Sequence, residues 1–203
     1  MSVRGNLIVF EGADGIGKTQ LTKRVTEHLT AHGVACVPMA FPGLQAGTLG
    51  WLVNELHHNC ASCGVAKIDP TSMQVLHIAA HIDAIEQQIR PALESGTWVI
   101  LDRFWWSTLV YGRILGARPK SLAGMVDVER HHWRDIQPVC IFLVSRSKPA
   151  REGESLDRHI QLQQEYAAVA EQYGRDNRVV PVSTDSTIED TVASVLAEIP
   201  VRG

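Results

Sequence analysis

Residues Gly12 to Thr19 read GADGIGKT and fill the pattern G-x-x-x-x-G-K-[ST] without a gap. These residue types suit one task, holding a chain of phosphates. Glycines let backbone N–H groups turn inward around anionic oxygens, and a following helix adds partial positive charge from its N-terminus. Lys18 would reach the β and γ phosphates, and Thr19 would offer its hydroxyl to Mg²⁺. The nucleotide-binding set is therefore Gly12, Asp14, Gly15, Ile16, Gly17, Lys18 and Thr19. Asp14 is a carboxylate among groups that collect anions. It either accepts a hydrogen bond from a sugar hydroxyl of an acceptor molecule or stands as a solvated loop acid.

A second cluster begins where DRFWWSTLVYG follows the apolar run TWVIL. A carboxylate at the C-terminal edge of a strand can hold Mg²⁺, or orient or deprotonate an attacking group. That makes Asp102 a catalytic candidate and, with Thr19, a metal candidate. Arg103 would clamp a moving phosphoryl group, since guanidinium neutralises charge spread over several oxygens. A surface ion pair is the plainer alternative. Trp105 and Trp106 either pack into the core or divide, one inside and its neighbour, Trp106, bordering the acceptor.

The elements that must position these groups alternate regularly. Strands are expected at 7–10, 34–41, 98–101, 139–144 and 179–182, the first of them running into the glycine loop. Helical spacing marks 18–32, 48–58, a long helix over 71–90 and another near 156–173. A last helix should open at Ser186, with Glu189 completing a capping box. Strands separated by helices give β-α-β units and a parallel sheet covered on both faces.

Composition sets outer bounds. The 203 residues, 45% of them hydrophobic, suit a single domain over 1–203 with an ordinary core. No apolar run approaches about 18 residues, so no membrane contact is expected. The chain runs into a strand almost at once, which leaves no room for a signal peptide and makes a cytoplasmic protein the expectation. A net charge of −3 gives no global attraction to nucleic acid. In HHNCASC, His57 and His58 stand beside Cys60 and Cys63, half of a zinc set with no second ligand pair; incidental thiols are the better reading.

Taken jointly, FEGADGIGKT, the Phe41-Pro42 pair, IRPALESGTWVILDRF and LDRHIQLQQEY resemble the thymidylate kinases, within the nucleoside monophosphate kinase group. The resemblance spans Asn6 to Tyr173 with the elements in matching order. It implies a three-layer P-loop kinase fold, α/β, with a five-stranded parallel sheet flanked by helices and a small lid. It also implies ATP with Mg²⁺, Asp14 on the acceptor sugar, Phe41 at the acceptor base, Ser107 and Tyr111 on the acceptor side, and a homodimer. The glycine loop lacks an arginine, and in this group the lid can supply one. A lid at about 145–158, SRSKPAREGESLDR, offers Arg146, Arg151 and Arg158, with Arg151 and Arg158 the first candidates for catalysis. Closure would exclude water and bring cations to the γ-phosphate.

Two departures lie on the acceptor side. The family carries an arginine soon after its Phe-Pro, where this chain reads FPGLQAG, and His81 stands where an arginine reads the base. The expected reaction is phosphoryl transfer from ATP to a pyrimidine deoxynucleotide-type acceptor such as dTMP. A cation-poor site would also suit a hydroxyl acceptor, for example a hydroxymethylated pyrimidine, free or within a nucleic-acid substrate. In that version Asp102 must act as general base. An ATP-hydrolysing switch without an acceptor is a third reading.

Overall fold

The computed structural model describes residues 3–149, 153 and 155–200. Five apolar runs form β1 (Leu7–Glu11), β2 (Cys36–Ala40), β3 (Trp98–Asp102), β4 (Cys140–Ser145) and β5 (Val179–Ser183). They make one parallel sheet in the order β2-β3-β1-β4-β5, with Ile8 facing Ile100 on one side and Cys140 on the other. β1 is buried throughout, which explains why it reads as an unbroken apolar run rather than an alternating one. The chain leaves β1 toward β3 and β2 on one side and toward β4 and β5 on the other. The carboxyl end of β1 is therefore the switch point, where open α/β sheets bind ligands.

Eight α-helices flank the sheet among the described residues: α1 (Lys18–Ala31), α2 (Leu49–Asn59), α3 (Pro70–Ala84), α4 (Arg90–Glu94), α5 (Trp105–Ile114), α6 (Pro119–His132), α7 (Leu156–Tyr173) and α8 (Ile188–Glu198). α1 packs on α8, while α3 is bracketed by α2, α5 and α6, and α5 leans on α7. None of the described helices is long and apolar enough to cross a membrane.

Three expectations change. The long helix does not stop before Pro91. It widens into a π-helical turn at Ile85–Ile89 and continues as α4. Proline has no N–H to give to the preceding turn, and an inserted residue at a π-turn accommodates that loss. α8 is capped by Thr187, not Ser186: the Thr187 hydroxyl accepts from Asp190 N at 3.1 Å, so the reciprocal acid is Asp190 rather than Glu189. Trp106 is fully buried, its ring packed near Gly174, and so belongs to the core and not to the acceptor site. Its neighbour Trp105 is also buried, edge-on to Tyr173 with Arg130 over its face. Both indoles face away from the cleft because α5 turns its polar groups, Ser107, Thr108 and Tyr111, toward it.

Candidate active site

The glycine loop joins β1 to α1. Gly12 has φ of +143°, and a Cβ there would lie 2.4 Å from the Val144 carbonyl oxygen, so only glycine lets the loop pass this close to β4. Ile16 sends its side chain into the core, leaving only its main chain for a ligand. Its carbonyl accepts from Thr184 Oγ1 at 2.8 Å, which ties the loop after β5 to the phosphate cradle. Lys18 is buried, and its Nζ donates to the Ala13 carbonyl at 2.5 Å. Burial, and then the like charge of Arg103, lower its pKa to about 8. At neutral pH Lys18 is still largely an ammonium, and a bound polyphosphate would favour that charge further.

Thr19 Oγ1 donates to Asp102 Oδ2 at 2.7 Å, which brings the two Mg²⁺ candidates together. Asp102 Oδ1 is buried without a protein partner. A carboxylate oxygen left over in this way, beside a hydroxyl, fits a hard divalent cation.

Arg103 follows β3 in the left-handed region, with φ of +79° and its N–H donating to the Phe10 carbonyl at 2.9 Å. An arginine held at positive φ is uncommon and marks a position that its surroundings dictate. The turn directs its guanidinium back over the cleft. There it pairs with Asp14, donates to Ser107 Oγ at 3.2 Å and Tyr166 Oη at 3.4 Å, and lies over the Tyr111 ring. Tyr111 Oη donates to Asp14 Oδ2 at 2.8 Å and accepts from Asp14 N at 3.0 Å. Asp14 is therefore a fixed member of this network, half-exposed on the cleft, rather than a solvated loop acid.

Glu11 organises this arrangement, and the sequence reading passed over it. It is fully buried at the end of β1, and α5 begins without a cap from its own residues. Glu11 Oε1 accepts from Phe104 N at 2.8 Å and Ser107 N at 3.0 Å, while Oε2 accepts from Ser107 Oγ at 2.7 Å. A carboxylate from the central strand thus caps a helix more than ninety residues away, with the helix dipole favouring its charge. Burial outweighs those donors and raises its pKa to about 7. The available signal was an acid directly after an apolar strand.

Two chambers open on this network. One, of about 380 Å³, is lined by Gly15, Gly17, Lys18, Thr19 and Asp102 and suits the phosphates. The other, of about 120 Å³, is lined by Gln74, His57, His58, His77 and His81 among others. Asp14, Phe41, Asn54 and Arg103 line both.

The histidines line the smaller chamber, the one expected to take the acceptor. His57 reaches from α2 to α3, its Nδ1 lying 2.9 Å from His77 Nε2. Burial lowers the pKa of both, that of His77 to about 3, and so disfavours charge on either ring. His81 donates from Nδ1 to the buried Glu129 carboxylate at 3.1 Å and stacks on Phe41, with centroids 4.0 Å apart. Phe41 thus borders the chamber with one ring face already covered. Cys60 bonds locally near Ala66, and Cys63 is exposed. Among the described residues no group of three or more His, Cys, Asp or Glu is placed to hold a metal ion.

The lid candidates divide. Arg151 lies outside the described residues. Arg158 sits exposed in the first turn of α7. The carbonyl of Arg146 accepts from His159 Nε2 at 2.8 Å, which fixes the base of the segment. Beyond Glu11, the sequence reading missed Tyr166, Asn54, Gln74, Thr108 and His77. Tyr166 closes LDRHIQLQQEY and Thr108 stands within DRFWWSTLVYG, whereas Asn54, Gln74 and His77 fall in no quoted stretch; the shared wall of these residues becomes visible only when α2, α3, α5 and α7 converge.

Comparison with known proteins places the chain in a family. The sequence model of one family, Thymidylate kinase, matches residues 10–195. A thymidylate kinase of Magnetococcus marinus is 30% identical, the match covering 98% of this chain and 98% of that protein. One of Rhodopseudomonas palustris is 28% identical over 99% of this chain and 91% of its own length. Among solved structures, thymidylate kinase from Ehrlichia chaffeensis aligns with a TM-score of 0.74 over 96% of this chain and 98% of that one, at 21% identity. This last likeness speaks for the fold.

Proposed function

The chain belongs to the thymidylate kinase family, and from that premise we propose that it transfers the γ-phosphoryl group of ATP to the phosphate of dTMP. The observation that carries this reading is the position of Arg103, which lines both the phosphate chamber and the acceptor chamber. A group there touches donor and acceptor at once.

In this reading the glycine-loop amides and Lys18 hold the β and γ phosphates of ATP, and Thr19 with Asp102 would hold Mg²⁺. The ion, when bound, neutralises charge on the phosphates. Arg103 keeps its guanidinium on the oxygens between the two substrates, where it offsets the charge of the transferring group. Asp14, oriented by Tyr111, accepts from a hydroxyl of the acceptor sugar. Ser107 and Tyr166 keep Arg103 in place. Arg158, and Arg151 with it, would approach when the lid closes and excludes water. A phosphate oxygen needs no deprotonation before it attacks, so Asp102 has no general-base task here. The hydroxyl-acceptor and acceptor-free readings, which the motifs alone left open, give way to the family's reaction. Association into a homodimer belongs to the same proposal; α2 exposes Leu49, Trp51 and Leu52, and α3 exposes Val75, as apolar surface for it.

The test is labelled ATP against a panel of dTMP, other monophosphates, thymidine and oligonucleotides. Labelling of dTMP ahead of the rest supports the reading. Label confined to thymidine or to oligonucleotides would overturn it.

A further inference from the structure

We infer that Gln74 is a specificity-determining residue of the acceptor chamber, its side-chain amide donating to the C4 carbonyl of a pyrimidine-2,4-dione; this rests on the thymidylate kinase reading above. The polar groups of the chamber are otherwise largely committed. Arg103 is held by Asp14, Ser107 and Tyr166. His81 is held by Glu129, and His57 and His77 are held by each other. Two buried side-chain atoms in this wall have no partner: Gln74 Nε2 from α3 and Thr108 Oγ1 from α5. Gln74 is 2% exposed, and a buried donor left unsatisfied is costly unless a ligand supplies the acceptor.

Its position along the cleft selects the atom it would meet. Gln74, His77 and His81 stand at i, i+3 and i+7, so one face of α3 forms this wall. Gln74 lines the acceptor chamber but not the phosphate chamber. The acceptor enters with its phosphate at Arg103 and its sugar at Asp14, which sends the base toward α3. The C2 carbonyl of a pyrimidine flanks the glycosidic bond and stays near the sugar, whereas the group on C4 lies at the far edge. A uracil-type base carries an acceptor there. Cytosine carries an amine, which would set donor against donor. Packing limits the freedom of the amide to adapt: Gln74 Cγ lies 3.3 Å from where a Cβ on Gly112 would stand, so α5 closes in on its stem.

The test compares dTMP and dCMP as acceptors for the wild type, Gln74→Leu and Gln74→Glu, with the KM for ATP measured alongside. Gln74→Leu should raise the KM for dTMP about tenfold to a hundredfold and shrink the preference for dTMP over dCMP, with the KM for ATP unchanged. Gln74→Glu keeps the size of the side chain but offers acceptors only, so its preference should move toward dCMP. It also keeps the inference testable should the leucine variant fail to fold. A wild type that phosphorylates dTMP, with both variants retaining its acceptor preference, overturns the inference and leaves the family reading standing. A wild type that phosphorylates no monophosphate overturns both.

Discussion

At the scale of single residues, the cleft depends on side chains whose charge is set by burial. Arg103 was legible in the sequence because an Asp-Arg pair ended a strand, but its positive φ and its grip on Asp14 were not. Arg103→Ala should lower kcat/KM for transfer by about 10²- to 10³-fold while the Kd for ATP changes little; unchanged turnover would remove it from the reacting centre. Glu11 lies within FEGADGIGKT, but its role was not legible there, because its partners, Phe104 and Ser107, follow the neighbouring strand β3 more than ninety residues on. Its folded pKa is raised to about 7 from an ordinary 4.5. The stability it contributes is therefore fully present below about pH 4.5 and lost as the pH rises through about 7. Denaturant titrations from pH 5 to 8 should show the wild type losing stability relative to Glu11→Gln across that window. Parallel curves would mean that Glu11 does not titrate there.

At the scale of elements, strands and helix types were readable, whereas helix ends and their partners were not. Unbroken apolar runs announced β1, β3 and β4, and the spacing of Leu21, Val25 and Leu29 announced α1. The continuation past Pro91 depends on a π-turn, which leaves no periodic trace. Trp105 and Trp106 could not be assigned from sequence, because burial depends on which way α5 faces when it meets α7. The turn between β2 and α2 shows how tightly elements set the acceptor side. A Cβ on Gly50 would fall 2.0 Å from the Pro42 carbonyl oxygen, next to Phe41 in the chamber wall. Gly50→Ala should therefore force α2 away from this turn, costing about 1–3 kcal/mol and raising the KM for dTMP more than that for ATP. Equal effects on both substrates in steady-state kinetics would show that α2 does not shape the acceptor chamber.

At the scale of the whole molecule, the sheet order sets β3, β1 and β4 side by side at its centre with their carboxyl ends together, and in the proposed reaction the cleft over those ends is shared between donor and acceptor. The fold and the donor half were legible because a contiguous loop carries them. The acceptor half was not, because its wall comes from α2, α3 and α5 together; the histidines of HHNC carried only half of a metal-ligand set, and their place in a chamber wall shows once α3 lies beside them. In the proposed reaction Arg158, exposed in the first turn of α7, completes the cleft from outside. Arg158→Ala should lower kcat about tenfold or more with little change in the Kd for ATP, a split that stopped-flow binding and turnover would resolve. The central claim, transfer to dTMP rather than to water, is tested most directly by following the γ-phosphoryl group of labelled ATP with dTMP present. The account predicts label in dTDP, one equivalent for each ADP formed. Label released as inorganic phosphate, with dTMP unchanged, would contradict it.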